Sequence, residues 1–164
     1  MTTKQGDVTQ LNDPVAQRML QTKTPARFAY NWIDGTPRVV PIGFHWNGSE
    51  IVLGTPVDAP KMKALHNGDA VALTIDSDTM PYNVLLIRGL VRTDVVDGVA
   101  PEYAAMCNRV MGEAGARAWL AQITAMFPQM ARVFIQPTWV GILDFEERFP
   151  SAIERAMAQL HAGD

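Results

Sequence analysis

PRVVPIGFHWNGSEIVLGT, residues 37–55, decides how this 164-residue chain is read. Apolar residues alternate through its first half, so Val40, Ile42, Phe44 and Trp46 share one face of a strand. Asn47 and Gly48 tolerate positive φ and favour a tight hairpin turn. SEIVLGT then supplies the next strand. Immediately upstream, ARFAYNWI places Ala26, Phe28, Tyr30 and Trp32 on one face, and DGTP marks a turn. Residues 26–55 therefore read as a three-stranded antiparallel meander.

The period changes after Thr55. Asp58 and Pro60 read as the start of a helix with Lys61 and Lys63 in its first turn, ending at the Asn67-Gly68 cap. Cations at that end of a helix are unfavourable by roughly 0.3–1 kcal/mol each. An anion held there would offset the penalty. AVALTID (70–76) and NVLLIRGLVRTDVV (83–96) return to strand, and Gly89 in the second marks a bulge or a close approach. ARVFIQPTWVGILDF is a last strand interrupted at Pro137. Three helical stretches flank these strands. One starts at Asp13-Pro14, one covers 101–127 and is split near GEAG (112–115), and one starts at Pro150-Ser151. Residues 1–12 read as a loose polar tail. Six or seven antiparallel strands without a βαβ rhythm should close or fold over themselves to protect their edges. The expected architecture is a mainly β, α+β single domain, a small β-barrel with peripheral helices.

Bulk properties narrow the function. A net charge of -3 argues against broad nucleic-acid binding. One cysteine, Cys107, excludes an internal disulfide and reads as a buried apolar residue. His45, His66 and His161 are dispersed, which argues against a metal site. No apolar run is long enough to span a bilayer, and the N-terminus lacks the apolar core of a signal peptide, so the expected location is cytoplasmic.

The ordered set PRVVPIGFHWNGSEIVLGT, PKMKALHNGDAVALTID and LLIRGLV, spanning residues 26–95 with the hairpin before it, resembles the flavin-binding split-barrel superfamily that includes pyridoxamine 5'-phosphate oxidase. The resemblance implies a six-stranded antiparallel split barrel. It also implies a homodimer with flavin mononucleotide (FMN) at the interface and oxidoreductase chemistry on a small-molecule substrate. Carried over by position, Arg38, Thr55 and Lys61 match the residues that hold the cofactor phosphate. Val39 and Val40 match positions whose backbone lies along the flavin ring, and Val84 matches a ring-side position that is polar in the oxidase. The chain departs from the oxidase at Ala59 and Pro60, which lack its extra basic residue, and at Gly43, where it has lysine. The arginine-bearing signature for the vitamin phosphate is also absent, which argues against pyridoxamine phosphate as substrate. A deazaflavin-dependent reductase and a non-catalytic flavin carrier are the alternatives within this fold.

Other residues carry less. Lys63 reads as solvent-facing, and Tyr82 and Asn83 as ordinary loop polarity. Trp32, Trp46 and Trp119 read as core. Trp139, beside Pro137 on the last strand, is the aromatic suited to a flat apolar cofactor surface. No general acid or base is required by the sequence.

Overall fold

The computed structural model describes residues 5–162. Seven strands form one antiparallel sheet: β1 (Ala26–Asn31), β2 (Pro37–Ile42), β3 (His45–Trp46), β4 (Ile51–Pro56), β5 (Ala70–Asp76), β6 (Val84–Asp97) and β7 (Gln129–Leu143). Their spatial order is β2-β1-β5-β6-β7-β4-β3. The helices are α1 (Pro14–Leu20), α2 (Pro101–Met126) and α3 (Ser151–His161).

The expected meander is therefore two separate hairpins. β1 pairs with β2, and β3 pairs with β4, but β2 and β3 lie on opposite edges of the sheet. Only Gly43 and Phe44 separate them, a connection that spans roughly 10 Å at most. The two edges must come together, so the sheet curls into a barrel. The strand count follows from the same break: the segment 37–46, read as one strand of six, is two strands of seven.

Alternation puts Phe28, Ile51, Leu53, Leu73, Ile87, Ile135 and Ile142 inside, all almost fully buried. The long pairing of β6 with β7 carries one irregularity. Arg88 faces Trp139 while Gly89 faces Pro137, so Thr138 is the extra residue of a bulge. Gly89 and Pro137, flagged independently in the sequence, are the two sides of that one bulge. A Cβ at Gly89 would press on the Gln136 carbonyl and the Ile135 side chain, so glycine is required by close approach.

Residues 5–12 are no loose tail, and residues 1–4 lie outside the described residues. The Gly6 N–H donates to the Val140 carbonyl at 2.8 Å, and the Gln5 and Gln10 amides donate to the Ile142 and Val140 carbonyls. Leu11 joins the barrel core together with Val15, Ala16, Met19 and Leu20 of α1. Asp13 caps α1 through the Val15 N–H, as its sequence position predicts. α2 is interrupted at Gly112 (φ 76°, ψ 167°), within the GEAG stretch.

One ion cluster ties the start of α1 to the end of β7. Arg148 bonds Asp13 and Asp144, each at 2.7 Å. Asp144 is buried and also accepts the N–H groups of Glu146, Glu147 and Arg148. Burial pushes its pKa up, but these amides and the guanidinium outweigh burial and hold it well below the usual carboxylate range. The stabilisation is fully present above the ordinary carboxylate value, near 3.9, and is lost as pH falls through the lower folded value. Asp144→Asn should destabilise the protein by about 2–4 kcal/mol at neutral pH and flatten the acid limb of its stability curve, read by urea melts between pH 7 and 3.

Candidate functional site: a half-buried lysine beside a threonine

Lys61 lies in a single 3-10 turn, Pro60–Lys63, in place of the longer helix expected. Its N-cap is Ala59, without a side-chain cap bond, and Asp58 does not cap it. A four-residue turn has no appreciable macrodipole, so the unfavourable first-turn placement inferred from the sequence does not arise. A different penalty replaces it. Lys61 is half-buried, and burial pushes its pKa down. Its ammonium donates to the Thr55 hydroxyl at 3.2 Å, and Thr55 is itself 4% exposed. Among the described residues, no carboxylate pairs with Lys61. A half-buried cation with one neutral partner is incompletely compensated, and an oxyanion is the group that completes it.

The structure thus brings Thr55 and Lys61 together. Lys63 is exposed, as expected. Arg38 is also exposed, and donates to the Thr36 hydroxyl at 2.6 Å and to the Pro37 carbonyl at 3.1 Å, with its guanidinium 5.9 Å from the Trp32 ring. Trp32 lines a groove of about 360 Å³ whose other wall is Ala64, Leu65 and His66, the residues that follow the lysine turn. Arg38 approaches this groove through Trp32, and the lysine turn leads into its other wall; among the described residues no hydrogen bond joins Arg38 to Lys61. Trp32, expected in the core, packs against it but is only partly buried. The DGTP turn between Trp32 and Arg38 is the signal that places both at the rim.

That groove continues into a shallower one of about 430 Å³ on the outer face of the sheet, sharing Tyr30, Asn31, Ala70 and Val71. Small residues, Ala29, Ala72 and Gly89, form its floor, and Arg88, Leu90 and Thr138 stand around it. Thr138, the extra residue of the bulge, lines this surface.

Val39 and Val40 lie on β2, an edge strand, with Val39 65% exposed. Half of the backbone groups of an edge strand point away from its only neighbour and are free to meet a ligand. Val84 begins β6, opposite Asp76 and Leu143. Thr55 pairs with Ala131, which pairs with Val95, eleven residues further along β6. At roughly 3.3 Å per residue, that separates Val84 from Thr55 by up to about 36 Å of strand. Trp139 is engaged within the chain. Its ring lies 4.1 Å from the Arg88 guanidinium and packs where Gly6 and Gly141 leave room.

With the apo protein, Lys61→Met should raise Tm by about 2–4 °C, the effect of roughly 1 kcal/mol in a domain of this size. A lowered lysine pKa means that the unfolded chain binds more protons. Wild-type stability attributable to Lys61 should therefore rise with pH from the lowered folded value towards the ordinary value of about 10.4, and the Met variant should lack this rise. Calorimetric scans from pH 7 to 10.5 read both effects.

No protein-family model matches the chain, and no curated protein is similar to it. Solved structures are similar. An F420 reductase superposes with a TM-score of 0.58 at 22% identity, over 76% of this chain and 94% of that one. A conserved hypothetical protein from Mycobacterium tuberculosis gives 0.62 at 16% identity, over 88% and 91%. A FAD- and heme-binding protein from Mycobacterium smegmatis gives 0.56 at 20% identity, over 93% and 78%. At these identities the likeness speaks of fold alone: the chain shares with these structures a curled antiparallel sheet whose two edges are joined by a short connection.

Proposed function

We propose that the protein binds a phosphorylated flavin, FMN, and works as a flavin-dependent oxidoreductase on a small molecule. The half-buried Lys61, hydrogen-bonded to Thr55 and without a carboxylate partner among the described residues, carries this reading. A phosphate near -2 charge supplies the counter-charge, and each charge-assisted hydrogen bond to it contributes roughly 1.5–3 kcal/mol. Arg38 supplies a second positive charge from the rim. The free edge of β2 at Val39 and Val40 offers alternate backbone groups to a planar ring, and the adjoining groove with its small-residue floor offers an apolar bed. The flavin supplies the redox chemistry when bound. The chain's part is to fix the phosphate, orient the ring and keep water from it.

Two copies of the chain complete this site. Val84 and Thr55 are too far apart along β6 to meet one cofactor within one copy, so we assign the ring contact to the partner subunit's Val84. An open groove beside an unpaired strand edge also suits closure by a second protomer.

Purified protein should be dimeric and yellow, with flavin absorption bands. Arg38→Ala combined with Lys61→Ala should lower FMN affinity by at least about 100-fold, consistent with the loss of two charged contacts. Fluorescence titration with FMN and with the deazaflavin coenzyme separates the cofactors. Tight binding of the deazaflavin alone replaces FMN in this reading, and undiminished FMN affinity in the double variant removes the phosphate assignment.

A further inference from the structure

A second incompletely compensated cation lies at the opposite end of β2 from Arg38. Arg109 of α2 is half-buried, and its Nε donates to the Thr22 carbonyl at 3.1 Å. Its Nη2 donates to the Phe44 carbonyl, at the break that separates β2 from β3. These two bonds use two of the five N–H groups of a guanidinium. Among the described residues no carboxylate pairs with Arg109, and burial pushes its pKa down. Beside it is a cavity of about 190 Å³ between α2, the loop before β1 and the strand break. Pro25, Phe44, Met106 and Val110 give it apolar walls, and Lys23 and Thr24 stand at the rim. Gly43 makes room for the wall: a Cβ there would meet the Met106 sulfur at 2.7 Å.

We propose that this cavity binds a small organic carboxylate, with the carboxylate on the Nη1–Nη2 edge of Arg109 and the apolar body against Phe44, Met106 and Val110. A planar fork of donors matches a carboxylate bidentately. Apolar walls around a single half-buried cation favour an anion with an apolar body over a fully hydrated one such as inorganic phosphate. The volume lies below the range of roughly 300–1,000 Å³ typical of drug-sized ligands, which fixes the size class at a benzoate-like molecule. Lys23 adds attraction at the entrance. The inference is independent of the flavin reading, because none of these residues belongs to the Thr55–Lys61 site.

Benzoate is the probe, titrated by calorimetry into the full-length protein at constant ionic strength, with benzamide and inorganic phosphate as controls. Benzoate should bind at least about tenfold more tightly than benzamide, since a charge-assisted pair is lost in the amide. Lys23→Gln, an exposed change, should weaken benzoate about 2–5-fold. Val110→Phe should fill the cavity and abolish binding, and Arg109→Gln should do the same, provided that circular dichroism shows it folded. Lys61→Met should leave benzoate affinity unchanged, which separates this site from the phosphate site. Equal affinity for benzoate and benzamide, equal competition by phosphate, unchanged affinity in Val110→Phe, or no benzoate binding overturns the proposal.

Discussion

Two residues, Gly43 and Phe44, join strands on opposite edges of a seven-stranded sheet. So short a connection permits no flat sheet, and the rest of the molecule follows from that constraint. Curling the sheet turns one face of its strands toward a common interior, against which Val40, Ile42 and Trp46 of β2 and β3 pack partly buried and which α1 and residues 8–12 help to fill. It also leaves β2 and β3 as edges that meet only through the chain itself. The Phe44 carbonyl at the break has no ladder partner, and Arg109 reaches from α2 to supply a donor. Barrel closure, helix docking and a buried guanidinium are thus one linked arrangement.

Both candidate sites share a physical logic. Lys61 and Arg109 are half-buried cations that bond to neutral oxygens and have no carboxylate partner among the described residues. Elsewhere the chain pairs its partly buried cations fully. Arg132 bonds Asp94 and Glu102, and Arg148 bonds Asp13 and Asp144. The contrast within one small protein separates cations paired with carboxylates from those bonded only to neutral oxygens, and on that difference both proposals rest.

Much of this was legible without coordinates, and the misses have definite causes. The strand signals at 26–33, 70–76 and 83–96 held because alternation reports which face is buried. Gly89 and Pro137 were each flagged because neither fits an unbroken ladder, but only the register shows that they face one another across a bulge. The meander failed because alternation continues through Gly43 and Phe44 and carries no mark of a change in partner. The tail at 5–12 was misjudged because its anchors are polar: glutamine amides bonded to β7 carbonyls give no apolar period.

By itself, the sequence determined most of the strands, the three helices and the barrel class, and it singled out Thr55 and Lys61, because local periodicity, turn chemistry and a matching order of residues are properties of the chain. Tertiary structure alone decided which strands are neighbours, since pairing depends on long-range contacts that local pattern does not encode. It also decided the fate of each charge. Whether a lysine or arginine is solvated, paired or left in want of an anion depends on what folding places around it. In Lys61 it replaced an apparent conflict with a helix end by burial beside a threonine. In Arg109, which nothing in the sequence singled out, it produced a guanidinium facing a small apolar cavity.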